Sequence, residues 1–264
     1  MSQPSLKDHL AAARLDDRVY VVLGAGGGGI GDATCVALAG AGAEIVCVDR
    51  VSEHAESIAA AVGGVAYVAD VTRRAEMAAL FESISGRFGE RFAGVIDIVG
   101  IAKLARIDAL DDAAIDRQFD VVLRHAMLTV QIAAPLLARR GGGSLSFIGS
   151  LAGMAAMPDL SFYGIAKAAL LQLVRCAALE FGPAGVRVNA VVPGYTSTPR
   201  LLEMLPAETW ERVAANNPLR RVATPQDIAK ALLFLVSDLA DYVTGNILTL
   251  DGGVSQALLV PGTG

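Results

Sequence analysis

The sequence predicts a single doubly wound α/β domain over residues 1–264, a Rossmann-type parallel sheet with helices on both faces. Three observations predict it. Short apolar runs rich in β-branched residues alternate with helix-period stretches along the chain, with no linker, repeat or low-complexity tract. A glycine-rich turn over residues 24–31 separates the first apolar run from the first helical stretch. The glycine loop, Asp49, Asp70, Gly100, Ser150 and Pro193-Gly194 all fall at carboxyl ends of expected strands, where sheets of this kind bind ligands.

Composition agrees with that architecture. The chain is 53% hydrophobic and 19% charged, which suits buried parallel strands and leaves apolar surface for contacts between subunits. A formal charge of −5 gives no basic footprint for nucleic acid. Pro135, Arg175 and Lys230 interrupt the greasiest helical stretches, so no membrane span is expected. Residues 1–17 carry five charges and no signal-length apolar core, and read as a lead-in. Cys35, Cys47 and Cys176, odd in number and far apart among apolar neighbours, read as buried reduced thiols of a cytoplasmic protein.

In chain order, the first strand is Val19–Leu23, closed by glycine, with a helix over 32–41 stopped by Gly42. A second strand, 44–48, ends at Asp49, and a third, 65–69, ends at Asp70. A helix over 73–88 leads to a fourth strand at 95–99 closed by Gly100. A long helix, 115–140, carries His125 and is expected to distort near Pro135. A fifth strand at 144–148 precedes Gly149-Ser150, and the helix bearing Tyr163 runs to about residue 180. A sixth strand covers 186–192, closed by Pro193-Gly194. A loose apolar segment, 198–222, covers the substrate side. A helix over Pro225–Val236, a last strand over Ile247–Leu250 and a tail from 254 complete the chain.

Tyr163 and Lys167 lie four apart, so one helical face presents both. An ammonium beside a phenol favours the phenolate, the form that takes a proton from an alcohol. Ser150, thirteen residues earlier at a strand end, can face the same pocket. In the glycine loop, G-x-G-x-x-G fits in two registers, Gly24/Gly26/Gly29 or Gly26/Gly28/Gly31. The loop therefore reads as a phosphate cradle at a helix N-terminus without fixing the fingerprint. Asp49, about twenty residues on, is placed to hold an adenosine ribose. A carboxylate there repels a 2′-phosphate, which favours NAD over NADP, although Arg50 softens the repulsion.

Taken together, these residues resemble the short-chain dehydrogenase/reductase family over nearly the whole chain. The matching pieces are Gly29-Ile30-Gly31, Asp49, Asp70-Val71, the Ser150/Tyr163/Lys167 set and Arg187-Val188-Asn189-Ala190. Pro193-Gly194 with Thr198, Thr244-Gly245 and Asp251-Gly252-Gly253 also match. The resemblance implies Tyr163 as general acid/base and Ser150 holding the substrate oxygen. Lys167 would bind the nicotinamide ribose and lower the Tyr163 pKa. Gly24, Gly28, Gly29, Ile30, Gly31 and Gly100 would line the cofactor, with Asp70-Val71 at the adenine and Thr196 and Thr198 near the nicotinamide amide. It further implies a homotetramer built on the helices around 115–140 and 163–180, and the apolar run 257–260 could reach a neighbouring subunit.

The chain departs from the family pattern in three places. Leu23 replaces the usual threonine and the loop holds one extra residue before Gly29, which glycine can absorb as a bulge. Asp97-Ile98-Val99-Gly100 stands where Asn-Asn-Ala-Gly is usual. Val122 stands where the family carries an asparagine linking the lysine to solvent, and valine cannot hydrogen-bond. His125, one helical turn on, is a candidate substitute, although a histidine here more commonly packs against a neighbouring subunit or is solvated.

Two functions fit these residues: an NAD-dependent enzyme interconverting a secondary alcohol and a ketone, or an NAD(H)-binding sensor or inactive partner subunit. Leu151, Met154, Met157, Leu160, Leu201, Met204, Leu205 and Trp210 either line a pocket for an apolar, alicyclic or steroid-like substrate or simply fill core.

Overall fold

The computed structural model describes residues 11–256. Its elements are β1 (Val19–Leu23), α1 (Ile30–Gly40), β2 (Glu44–Asp49), α2 (Ser52–Val62), β3 (Val65–Val68), α3 (Arg74–Phe88) and β4 (Phe92–Asp97). Then follow α4 (Asp112–Phe119), a π-helical turn (Asp120–Arg124), α5 (His125–Arg139), β5 (Gly143–Ile148), α6 (Ser161–Phe181) and β6 (Val186–Pro193). The chain closes with α7 (Pro199–Met204), α8 (Ala207–Asn216), α9 (Pro225–Val236) and β7 (Ile247–Leu250).

The strands form one seven-stranded sheet in the order β3-β2-β1-β4-β5-β6-β7. Every strand pairing among the described residues is parallel. β1 shows why this sequence makes a two-sided sheet. All five of its residues are buried, and successive side chains point to opposite faces. Val19, Val21 and Leu23 join the core under α3, α5 and α6, whereas Tyr20 and Val22 join the core under α1 and α9. The chain winds outward from β1 to β3 and, in the other direction, from β4 to β7. The crevice between β1 and β4 is therefore the topological switch point, where ligands bind in open sheets.

α9 starts where the sequence places it because Thr224 and Asp227 form a reciprocal capping box with Pro225 in the first turn. Other expectations are corrected. α2 was not expected between β2 and β3. β4 lies at 92–97 rather than 95–99, since the apolar stretch continues past the last ladder pair at Asp97. The long helix passes through Pro135 within α5 and distorts instead at Asp120–Arg124. The loose segment is two short helices, α7 and α8.

Two helical runs, Asp112–Arg139 and Ser161–Ala184, are long and apolar enough by length and composition to cross a membrane, against the expectation from Pro135 and Arg175. About half of each is buried against the rest of the fold, as packed core helices are. Cys35 and Cys47 are buried with sulfurs 3.9 Å apart and unjoined. Cys176, expected inside, is exposed, because the buried stripe of α6 runs through Leu170, Leu171, Val174, Ala177 and Ala178 and leaves it outside. The apolar run 257–260, read as a subunit contact, lies outside the described residues.

Candidate active site

β5 delivers the chain to Gly149 and Ser150 at its carboxyl end. A 3-10 turn, Leu151–Gly153, follows, and the Ser150 hydroxyl accepts a hydrogen bond from Ala152 N at 3.2 Å. This turn sits directly on the first turns of α6. A Cβ at Gly164 would stand 2.5 Å from the Ala152 carbonyl oxygen, so glycine is required for the approach. Tyr163 and Lys167 therefore face Ser150 across a fixed gap.

The Lys167 ammonium lies 5.8 Å from the centre of the Tyr163 ring and donates a 2.6 Å hydrogen bond to the Ile148 carbonyl at the end of β5. Gly100 is equally constrained, since a Cβ there would come within 2.9 Å of Lys167 Nζ.

Burial governs the titration of this group. It lowers Lys167 to about 8, against a partial opposing pull from the Asp97 carboxylate. Burial also raises the Tyr163 phenol above its ordinary value, and the neighbouring Ser150 hydroxyl pulls the other way. The expected lowering of Tyr163 by Lys167 is thus not the governing effect here. The ammonium is turned to the Ile148 carbonyl, and desolvation of the phenolate dominates.

The glycine loop leaves β1 with Gly24 N and Ala25 N both hydrogen-bonded to the Val48 carbonyl of β2. The extra residue is absorbed between Gly26 and Gly28, where Gly27 and Gly28 take φ of +96° and +76°. No side chain caps the N-terminus of α1 at Gly29, so its first N–H groups are available to an anion. Gly28 N donates to the Asp32 carboxylate at 2.9 Å, and among the described residues a Cβ at Gly28 or Gly29 would meet Pro199 at 3.3 Å or Thr198 at 3.9 Å. Thr198, which caps α7 through Leu201 N, thereby roots the covering segment on the loop. Thr196 is buried and donates to the Gly194 carbonyl at 3.1 Å, and Gly194 N is held by the Leu250 carbonyl of β7.

Asp49 closes the outer end of this cradle. Its carboxylate accepts from Val51 N at 3.0 Å and from Gly26 N at 3.4 Å. His54, at the start of α2, stands 3.8 Å from the same carboxylate and packs on Gly26, a neighbour that sequence reading did not supply because α2 itself went unread. Asp70 accepts from Thr72 N and Oγ1. Burial would raise its carboxyl, but those bonds and the nearby Arg73 and Arg50 outweigh it and hold it below the usual range. Val71 is buried beside it, and Arg50 is exposed.

Three further features escaped the sequence. Gln118, buried on α4, accepts from Lys103 N and donates to the Ile101 carbonyl, pinning the segment after Gly100. Arg187 donates to the carbonyls of Leu235, Val236 and Ser237, and Asn189 to that of Val243, so this motif ties β6 to the end of α9 rather than to a ligand. His125 is the third. It is fully buried within its own chain, with Nδ1 2.7 Å from Asp97 Oδ2, neither solvated nor at a subunit surface. The Asp97 that replaces the family's amide is what draws it inward. Val122 is fully buried in the π-helical turn.

Comparison with known proteins bears on this arrangement. The sequence profile of the family described as enoyl-(acyl carrier protein) reductase matches residues 24–255, from the glycine loop to beyond β7. The chain belongs to the short-chain dehydrogenase/reductase family. Among curated members, it is 38% identical over 243 residues to cis-4-hydroxycyclohexanecarboxylate dehydrogenase of Sinomonas cyclohexanicum, covering 90% of this chain and 96% of that one. The solved structure of a 7α-hydroxysteroid dehydrogenase with NADH and 7-oxo glycochenodeoxycholic acid superposes with a TM-score of 0.87 at 30% identity, over 92% of this chain and 96% of that one. A gluconate 5-dehydrogenase from Burkholderia cenocepacia J2315, in complex with NADP and tartrate, superposes with a TM-score of 0.88 at 28% identity, over 94% and 99%. Members of this dehydrogenase/reductase family thus occur with either dinucleotide.

Proposed function

We propose that this protein is an NAD-dependent short-chain dehydrogenase that interconverts a largely apolar secondary alcohol and its ketone. The observation that carries the reading is the convergence of Ser150, Tyr163 and the buried Lys167 beside the topological switch point. The dinucleotide fits the residues present. A helix N-terminus without a side-chain cap, after a glycine turn, suits a pyrophosphate, Asp49 suits ribose hydroxyls, and Asp70-Val71 suit the adenine.

When bound, the nicotinamide supplies hydride acceptance and donation. Tyr163 takes the hydroxyl proton in oxidation and returns it to the carbonyl oxygen in reduction. Ser150 holds that same oxygen by hydrogen bonding. Lys167 holds the nicotinamide ribose and stabilises negative charge on Tyr163. Gly100 leaves room for the lysine, and Thr196 and Thr198 would hold the carboxamide end of the nicotinamide. The bound dinucleotide would sit along Gly24, Gly28, Gly29, Ile30 and Gly31.

The apolar residues support a hydrophobic substrate. Met154 is 50% and Met204 47% exposed. Leu151 packs against the core, whereas Met157, Leu160, Leu201, Leu205 and Trp210 are only partly buried, which supports pocket walls over core filling for these. Trp210 packs edge-on to Tyr195 at 6.3 Å, and Ile101, Leu104 and Ile107 add exposed apolar surface after Gly100. An alicyclic or steroid-like alcohol suits these walls, as do the ring-bearing substrates in the names of two relatives. A panel of cyclic, steroidal and charged hydroxy substrates tests this. Preference for a small charged hydroxy acid would sink it. NADH binding without turnover on any member would favour the sensor reading, which Val122 recommends.

The pH dependence has a definite sign. A phenol raised by burial is protonated at neutral pH, so ketone reduction should run well there. Alcohol oxidation needs the phenolate and should rise with pH until Lys167, at about 8, loses its charge. A reduction rate that instead climbs through pH 8 would contradict this assignment.

Asp49→Ala should narrow the preference for NAD over NADP by about tenfold or more. Like charges about 4 Å apart repel by roughly 1–4 kcal/mol, and about 1.4 kcal/mol is tenfold. An unchanged ratio of dissociation constants would remove Asp49 from that role. The family pattern also supports a cytoplasmic homotetramer through α4, α5 and α6, whose outer faces expose Met127, Ile165 and Leu179. Its solution mass should be four chains, and a monomer at micromolar concentration would refute it.

A further inference from the structure

Behind Lys167 lies a cluster that the proton chemistry above does not use. Asp97, at the end of β4, is buried, and its Oδ2 meets His125 Nδ1 at 2.7 Å and accepts from Thr129 Oγ1 at 3.1 Å. Its Oδ1 accepts from Val99 N at 3.2 Å. A carboxylate offers only acceptors, so against an ionised Asp97 the imidazole would donate from Nδ1. His125 Nε2 is buried and finds no hydrogen-bond partner among the described residues. The imidazole is therefore committed to Asp97 alone.

On the near side, Lys167 is itself buried, and its ammonium meets one hydrogen-bond acceptor among the described residues, the Ile148 carbonyl. A buried cation without a counter-charge is costly. Asp97 pairs across the sheet with Phe147, the residue before the Ile148 that accepts from the ammonium. Its Oδ1 holds Val99 N next to Gly100, where a Cβ would come within 2.9 Å of Lys167 Nζ. The Asp97 charge also pulls against burial at Lys167.

We propose that Asp97, oriented by His125 and Thr129, is a positioning residue that serves as the buried counter-charge of the Lys167 ammonium in a chain where Val122 offers the lysine no polar partner. This inference rests on the dehydrogenase reading and deepens it. The titratable groups near Lys167 on the elements around it are few. α6 carries Tyr163, whose ring lies 5.8 Å from the ammonium, β4 carries Asp97, and α5 carries His125, which is held by Asp97. β5 contributes only the Ile148 carbonyl, and in the π-helical turn Asp120 and Arg124 pair with each other at the surface. No second carboxylate stands in for Asp97 among the described residues of these elements. Its charge offsets part of the lowering that burial imposes on the Lys167 ammonium. His125 and Thr129 keep the carboxylate aimed by filling both acceptor directions of Oδ2.

The test is Asp97→Asn, which keeps hydrogen-bond acceptors and removes the charge. In the full-length protein, two pH profiles are read side by side: kcat/KM for alcohol oxidation, and NADH affinity by fluorescence. In the unaltered chain both should fall as Lys167 titrates, near pH 8. In Asp97→Asn both falling limbs should move down by about one pH unit or more, as expected when an opposite charge nearby is withdrawn. A purely structural Asp97 would lower both curves without moving their limbs, and that result overturns the proposal.

The binding profile separates the two readings. If the unaltered chain binds NADH but turns over nothing, the dehydrogenase reading fails while the NADH limb still decides this one. Where Asp97→Asn lowers stability, a double-mutant cycle decides. Its fall in Tm should be at least about twofold smaller in a Lys167→Met background, because the two charges are coupled. Equal falls in both backgrounds refute the pairing.

Discussion

Tyr163→Phe is expected to lower turnover in both directions by about 10²–10⁴-fold, the range a positioned acid/base contributes, while Tm and NADH affinity stay near those of the unaltered chain. The separation follows from where the hydroxyl sits. Tyr163 lies in the first turn of α6, its ring 5.8 Å from the Lys167 ammonium and its acidity tuned by burial and Ser150. Phenylalanine retains the ring and its packing and removes only the proton donor. No hydrogen bond that holds the fold involves the Tyr163 hydroxyl among the described residues, so no structural partner is orphaned. The checks are stopped-assay rates with an alcohol and its ketone, and NADH fluorescence titration. Activity within about threefold of the unaltered chain would remove Tyr163 from the chemistry. Loss of NADH binding together with turnover would instead mean that the phenol shapes the cofactor cleft. Ser150→Ala should cost less, since in the proposed reading Ser150 would only orient the oxygen and the acid/base remains.

The sequence displayed the site better than it displayed what lies behind the site. Ser150, Tyr163, Lys167 and Asp49 were legible because each sits at an element boundary with fixed spacing: a strand end, one helical turn, another strand end. β1, β7 and α9 were legible to the residue because their edges are sharp: β1 is a buried run closed by Gly24, β7 a short apolar run closed by Asp251-Gly252, and α9 opens on a capping box. α2 was not, since Ser52–Val62 is an alanine-rich stretch whose buried stripe holds only Ala55, Ile58 and Ala59. The π-helical turn left no trace either: a single wider turn changes no residue type, only the register of Val122 and His125 relative to α6.

His125 is the instructive miss. Read along its helix it is a lone polar residue on a mostly apolar surface, for which solvent or a neighbouring subunit is the usual destination. Its true partner is 28 positions away, at a strand end read as merely having lost its amides. The two departures from the family pattern, Asp97 for an amide and Val122 for another, were each read as a deficit. In the proposed pairing with Lys167 they form a single exchange: one carboxylate supplied at β4, one polar group withdrawn from the π-helical turn.

Gly31→Ala should cost NADH affinity at least about tenfold and lower Tm by roughly 4–10 °C, and it decides which register of the glycine run is the working one. A Cβ at Gly31 would stand 2.6 Å from the Ala25 carbonyl oxygen and closer still to that of Gly24. Neither carbonyl can retreat, because Gly24 N and Ala25 N are both bonded to Val48. Helix α1 would have to lift from the loop, an overpacking worth about 1–3 kcal/mol, and about 2–4 °C accompanies each kcal/mol in a domain of this size. The N–H groups at the start of α1 would move with it, and anion binding depends on where they point.

Gly27→Ala should be milder for the fold. Its nearest neighbour is the exposed His54 ring at 3.6 Å, so only the positive φ is penalised, by about 1–2 kcal/mol. Gly40→Ala, with nothing within 4 Å at the end of the same helix, should raise Tm slightly through the unfolded chain. That order, Gly31 worst, Gly27 intermediate, Gly40 favourable, is specific to a loop in which residues 24, 29 and 31 hold the frame and 26–28 form the bulge. If Gly27→Ala instead proved the most damaging to NADH binding, the inserted residue would belong to the phosphate cradle itself. The frame would then have to be redrawn around Gly26 and Gly28.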